Sequence, residues 1–157
     1  MWLNVSAVES STSASNVNNC YTFHDVDSTW NEAKKACRDI GAHLVTMETT
    51  DEWNEVKGHI ADKVRKSGSY THWYIGLRKE SDMWKWTEAG SPGVTVATDD
   101  SRWQGGEPST DRDPRETCGE ISWYPKAAHP GHFNDVECTG KYGAIGAPPC
   151  GYICENY

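Results

Sequence analysis

The sequence predicts a single α+β domain that is held together by disulfide bonds. Its 157 residues are enough for one domain with its own buried core. The predicted elements run strand, two helices, strands, a long loop and more strands, which is typical of an α+β domain. Six dispersed cysteines indicate three disulfides and an oxidising compartment. None has CxxC spacing, which disfavours zinc and thioredoxin-like sites.

The first helix is predicted to begin near Thr29, after a short strand at residues 21–23. Thr29 and Glu32 have the spacing of a capping box, and Gly41 lies where a helix end favours glycine. The apolar positions recur every three or four residues: Trp30, Ala33, Cys37 and Ile40. Cys37 is therefore expected to point into the core, where a disulfide can be buried.

A second helix is predicted from about Thr50 to a stop at Gly68. Thr49 and Glu52 repeat the capping pattern. Its apolar stripe again has helical spacing: Trp53, Val56, Ile60 and Val64. A short strand at residues 44–45 separates the two helices.

The rest of the chain predicts strands around one long loop. Strands are expected at residues 72–77, at Trp84 and Trp86 on one side of a strand, at 118–123, near Val136, and at 151–155. Most of the eight tryptophans are expected in the core. Residues 88–115 are rich in Gly, Pro, Asp and Ser without periodicity. Such a long loop in a compact domain is usually functional or disordered.

Composition limits the compartment and the partners. Residues 1–19 predict a flexible leader or a remnant of recombinant expression, and residues 20–157 the domain. No apolar run is long enough for a membrane span. The net charge of −8 disfavours nucleic acid as a partner. Asn4-Val5-Ser6 is a glycosylation acceptor, so a secreted or extracellular protein is expected, including the ectodomain of a larger one.

A set of motifs then identifies a family resemblance. The motifs are Gly41-Ala42-His43-Leu44-Val45, Trp73-Tyr74-Ile75-Gly76-Leu77, Trp84-Lys85-Trp86, Gly106-Glu107-Pro108-Ser109, Phe133-Asn134-Asp135 and Tyr152-Ile153-Cys154-Glu155. In this order they resemble the C-type lectin domain, with its WIGL-like strand, EPN-type loop, WND-like strand and final ICE-like strand. The resemblance covers about residues 20–155. It implies the C-type lectin-like fold and a binding module, not an enzyme.

The resemblance also implies disulfide pairings. Cys37 would bridge to Cys154, and Cys118 to Cys138. Cys20 and Cys150 remain, and a third bridge between them follows by elimination. An interchain bridge is the alternative for these two cysteines.

The resemblance implies a calcium site that also binds the sugar. Its five ligand positions map to Glu107, Ser109, Glu116, Asn134 and Asp135. Three carboxylates and further oxygens suit Ca²⁺, and two sugar hydroxyls would complete its shell. Ser109 departs from the asparagine of the EPN motif. Its hydroxyl is shorter and a weaker ligand, so a weaker site is expected.

The resemblance implies a cis Pro108 and a sugar preference. Glu107 can only accept and Ser109 can donate, as in EPN loops. This polarity favours mannose, glucose, N-acetylglucosamine or fucose over galactose. A tryptophan stacked on galactose would override it, and the candidates are Trp84, Trp103 and Trp123.

Other candidate sites are weaker. Thr117 and the Arg78-Lys79 pair disfavour an auxiliary calcium site, and Asp99, Asp100, Asp111 and Asp113 are interpreted as solvated loop charges. His129 and His132 have HxxH spacing but are expected to be exposed loop residues.

Three functional hypotheses come from different classes. A calcium-dependent lectin that binds glycans or glycoproteins leads, followed by a module of the same fold that binds a protein without calcium. An enzyme such as a glycosidase is third, but Glu107 and Glu116 are already assigned as ligands. Nucleophilic catalysis is disfavoured separately, because no GxSxG elbow is present. The natural glycan, homo-oligomerisation, and further domains or a membrane anchor outside this chain stay open.

Overall fold

A computed structural model describes residues 20–67, 71–88, 93–109, 112–123, 130–139 and 150–156. The predicted leader at residues 1–19 and the helix stop at Gly68 lie outside the described residues. No described helix is long and apolar enough to cross a membrane. The described elements confirm the α+β prediction, with two helices and a mixed sheet.

Both predicted helices form behind capping boxes. In α1 (Trp30–Asp39) the side chains of Thr29 and Glu32 bond each other's backbone amides, and Gly41 follows with a φ of 76°. In α2 (Thr50–Ser67) Thr49 and Glu52 exchange the same two bonds. The apolar stripes face the core as predicted, with one exception. Ile40 is 56% exposed, because the helix has already ended at that residue.

The sheet has β8 and β3 at its centre. The strands are β1 (Cys20–His24), β2 (His43–Leu44), β3 (His72–Glu80), β4 (Met83–Trp86), β5 (Thr95–Val96), β6 (Cys118–Ser122), β7 (His132–Val136) and β8 (Cys150–Asn156). The order along the sheet is β1-β8-β3-β4-β5, with β2 also on β8 and with β6 joining β3 to β7. Strand β5, which pairs with β4, was missed by the sequence analysis.

Tryptophan fills much of the core. Six tryptophans are buried: Trp30, Trp53, Trp73, Trp84, Trp86 and Trp103. Several of their indole N–H groups donate to backbone oxygens, such as that of Trp30 to Ile75 at 2.9 Å and that of Trp53 to Gly131 at 2.7 Å. This confirms that most of the tryptophans serve the core.

Two of the three expected disulfides are present. Cys37–Cys154 joins α1 to β8, and Cys118–Cys138 joins the start of β6 to the residues after β7. The predicted Cys20–Cys150 bridge is wrong. Cys20 pairs with Asn156 in the β1–β8 register, six residues from Cys150, and six residues of strand span roughly 20 Å. A disulfide requires Cα atoms within about 7 Å.

Candidate functional site

The long loop is fastened to β7 at its base. Gln104 N donates to Phe133 O at 2.8 Å, and Phe133 N donates to Arg102 O at 2.7 Å. Arg102 also donates to the backbone oxygen of Met47 and forms an ion pair with Asp100 at 2.9 Å. The loop therefore leaves the core from a fixed point beside the Phe-Asn-Asp strand.

Ser109 ties the loop to two of the predicted ligands. Its backbone N–H donates to Asp135 Oδ2 at 2.7 Å, and its hydroxyl donates to Glu116 Oε2 at 3.1 Å. The peptide bond between Glu107 and Pro108 is cis, as the resemblance implies. The loop thus brings Glu107, Ser109 and Glu116 to the buried carboxylate of Asp135.

The carboxylates repel one another and are short of donors. Burial, followed by direct contact with the Asp135 carboxyl, raises the pKa of Glu107 to about 6. The pKa of Glu116 is also raised, first by burial and then by the charge of Asp135. Glu107 Oε2 and Asp135 Oδ1 are buried without a hydrogen-bond partner. Arg112, which the sequence analysis missed, lies 3.6 Å from Glu107 Oε1.

These features suit a hard cation in chemistry, although the carboxylates are not gathered around one point. Carboxylate oxygens that lack donors are the ligands that calcium prefers, and a cation would relieve their mutual repulsion. Among the residues that the structure describes, no three His, Cys, Asp or Glu side chains are close enough to hold a metal ion. The oxygen donors are thus of the type that calcium binds, and Ser109 lies between Glu116 and Asp135.

Asn134 is the predicted ligand that the structure sets apart. Its side-chain Nδ2 donates to Glu120 Oε1 at 3.0 Å. Asn134 therefore contacts Glu120, whereas Asp135 contacts Ser109. Glu120 was not predicted as a functional residue. The one available signal was a charged residue inside the strand predicted at residues 118–123.

Several other candidate residues have structural roles. Trp84 and Trp103 are buried, so neither can stack on a sugar, whereas Trp123 is half-buried.

His132 lies in β7 against the Trp53 ring, at 5.1 Å between ring centroids, so its prediction as a loop residue is wrong. Asp100 and Asp113 form ion pairs with neighbouring arginines. Asp111 and His129 lie outside the described residues.

Comparison with known proteins identifies the family. The sequence profile of the Lectin C-type domain matches residues 26–146. This chain belongs to the C-type lectin domain family. A perlucin-like protein of Mytilus galloprovincialis is 29% identical over 136 residues, which cover 87% of this chain and 75% of the relative. The chain spans less than half the length of several mammalian members. Its relatives are lectins, not enzymes.

Solved C-type lectins share the fold. The complex of SPL-1 with GlcNAc superposes with a TM-score of 0.64 at 21% identity, covering 88% of this chain and 87% of that one. The Ca²⁺-independent lectin SPL-2 of Saxidomus purpuratus superposes with a TM-score of 0.63 at 23% identity, covering 88% and 86%. At these identities the likeness establishes the fold alone.

The raised pKa of Glu107 predicts a pH-dependent stability of this C-type lectin domain in chelator. A carboxyl whose pKa is higher in the folded state stabilises the fold below its unfolded value of 4.5, and this contribution is lost as the pH rises through about 6. Glu107→Gln removes the titration. We therefore expect the variant to gain stability relative to wild type between about pH 4.5 and 6, as measured by urea unfolding. If the difference in unfolding free energy between the variant and the wild type does not change with pH, the raised pKa of Glu107 is contradicted.

Proposed function

We propose that this domain binds glycans in a calcium-dependent manner, with a preference for mannose-type sugars. The observation that carries the proposal is Ser109, which contacts both Glu116 and Asp135 through its own hydrogen bonds. Together with Glu107 these residues form an oxygen-rich edge where the long loop meets β7. Extracellular glycoproteins are the proposed partners.

The chain's own side chains have two tasks at this edge. Calcium, when bound, offers coordination positions to two neighbouring sugar hydroxyls. Glu107, Glu116 and Asp135 supply the negative charge that holds a divalent cation, and Asn134 supplies an amide oxygen. The same carboxylates accept hydrogen bonds from the sugar hydroxyls, so a single set of residues binds both ligands.

Calcium is expected to raise the melting temperature. Without a cation, the carboxylate of Asp135 repels those of Glu107 and Glu116. Ligand binding stabilises by RT ln(1 + [L]/Kd), which is about 2.7 kcal/mol at a hundredfold excess over Kd. Extracellular calcium modules have Kd values of roughly 10⁻⁴–10⁻³ M, so millimolar calcium should give a smaller rise. Melting curves in excess calcium and in chelator test this, and identical curves would overturn the proposed site.

Two features support the proposed sugar preference. They are the hydrogen-bond donors and acceptors of the loop and the burial of the aromatic rings that could stack on a sugar. Glu107 accepts and the Ser109 hydroxyl donates, a polarity that suits a pair of equatorial hydroxyls. Stacking on galactose needs an exposed aromatic face, and two of the three candidate tryptophans, Trp84 and Trp103, are buried.

Free mannose is therefore expected to displace a bound glycoprotein at lower concentration than free galactose, in the presence of calcium. The measurement is a competition assay, with chelator as the control for calcium dependence. Ser109→Asn restores an amide ligand and should tighten both calcium and sugar binding. If galactose is the far better competitor, the polarity argument has failed.

A second candidate is a protein-binding domain that works without calcium. Ser109 favours it, because a serine hydroxyl is a weaker calcium ligand than the amide oxygen of the asparagine in the EPN motif. Equilibrium dialysis with calcium separates the two functions. A chain that retains no calcium at millimolar concentration would support this candidate over the lectin.

A further inference from the structure

A buried polar network lies behind Asn134, at the junction of three strands. Glu120 of β6 is fully buried. Its Oε1 lies 3.0 Å from Nδ1 of His72 on β3, and its Oε2 lies 3.7 Å from the Sγ of Cys150 on β8. His72 and Cys150 are themselves buried. Burying a carboxyl is costly unless it is hydrogen-bonded, so this placement requires the partners that surround it.

The fourth member of the network is the proposed ligand Asn134. Glu120 and Asn134 are directly opposite in the β6–β7 register, and Asn134 Nδ2 donates to Glu120 Oε1 at 3.0 Å. A carboxylate can only accept hydrogen bonds, so it selects the nitrogen end of the amide. The carbonyl oxygen Oδ1 of Asn134 is thereby turned away from Glu120, on a side chain that is only half-buried.

We propose that Glu120, held in place by His72, is a positioning residue that presents the carbonyl oxygen of Asn134 for calcium binding. The inference rests on the proposed calcium-dependent function. An asparagine without such a partner can present either its nitrogen or its oxygen, and only the oxygen can bind a cation. Glu120 itself remains in the core and does not touch the ion.

Two substitutions of Glu120 separate positioning from simple packing. Glu120→Met keeps the length of the side chain and removes the acceptor, so Asn134 loses its orientation. We expect the calcium affinity to fall roughly tenfold, the size found when the outer hydrogen-bond partner of a metal ligand is removed. Glu120→Gln can still accept from Asn134 through its amide oxygen, so its calcium affinity should remain close to wild type. Both affinities are measured by titration with calcium alone.

A double-mutant cycle tests whether Glu120 acts through Asn134. In the background of Asn134→Ala, Glu120→Met should cause no further loss of calcium affinity. Melting curves in chelator report the effect on stability separately. An equal loss in both backgrounds, or an unchanged affinity in Glu120→Met alone, would overturn the inference.

A spectroscopic readout tests the orientation without calcium and without relying on the Met variant folding. In the metal-free wild-type domain, the side-chain NH₂ protons of Asn134 should exchange slowly with solvent, because one is bonded to a buried carboxyl. Fast exchange of both protons in the NMR spectrum would overturn the inference. Absence of calcium binding by the wild type would instead overturn the proposed function, and with it the role given to Glu120.

Discussion

Replacing Asp135 with alanine is expected to abolish calcium-dependent glycan binding while the domain stays folded. Asp135 is almost fully buried, its Oδ2 holds the backbone of Ser109 at 2.7 Å, and its Oδ1 has no partner. The substitution thus removes a proposed ligand and the bond that brings the loop to β7. We expect the calcium affinity to fall by more than the roughly 10–100-fold typical of outer-shell residues. Titration with calcium and a glycan-binding assay measure this loss.

Two companion variants sharpen the test of Asp135. Asp135→Asn keeps an acceptor for Ser109 N and removes the charge, so it separates charge from loop anchoring. Asp99→Ala removes an exposed carboxylate from the same loop and should leave binding unchanged. Normal glycan binding by Asp135→Ala would contradict the assignment, and an equal loss in Asp99→Ala would point to a general effect of loop charge.

The helices could be predicted because their signals are local. Each capping box spans four residues, and each apolar stripe repeats over two or three turns, so neither depends on the rest of the chain. Ile40 marks where this reasoning ends. The periodicity continues into Ile40, but the helix stops at Asp39, and a residue at the C-cap no longer faces the direction that helical spacing assigns.

The burial of the tryptophans and the formation of the short strand β5 depend on tertiary contacts and not on local sequence signals. Two residues, Thr95 and Val96, carry no readable alternation, and they form a strand because β4 offers them an edge. Trp103 lies in the long loop, yet its ring packs against Trp84 at 5.0 Å and against Phe133 at 6.0 Å between centroids. The sequence analysis expected Trp103, as a loop residue, to be available for stacking on a sugar. In the structure its side chain is buried in the core.

For the candidate site too, the sequence predicts which residues lie together within one loop but not which distant segments come into contact. Glu107, Ser109 and Glu116 lie within one loop, so their motif was sufficient to bring them together as candidates. The contact of His72 with Glu120 joins residues 48 positions apart and depends on the pairing of β3 with β6. An even number of cysteines likewise could not reveal the strand register that separates Cys20 from Cys150.

Removing the Cys37–Cys154 disulfide should cause the largest loss of stability among the changes considered. The bridge links residues 117 positions apart, and the chain-entropy relation assigns such a link about 5 kcal/mol, against about 3 kcal/mol for the 20-residue separation of Cys118–Cys138. Both bridged sulfurs of the longer link are fully buried between α1 and β8. The double substitution Cys37→Ala with Cys154→Ala should therefore lower the melting temperature by roughly 10–20 °C.

Removing the shorter bridge, Cys118–Cys138, should affect calcium binding more than stability, the reverse of removing Cys37–Cys154. Cys118 follows Glu116 by two residues, and Cys138 follows Asp135 by three, so this disulfide ties the end of the long loop to the end of β7, close to proposed ligands on both sides. Substituting Cys118 and Cys138 with alanine should cost less stability but weaken calcium binding, as measured by titration below the melting transition. The variant without Cys37–Cys154 should keep its calcium affinity at that temperature, because this bridge links α1 to β8, and neither element carries a proposed ligand. Equal effects of the two double variants on calcium affinity would mean that the site depends on global stability and not on the local bridge.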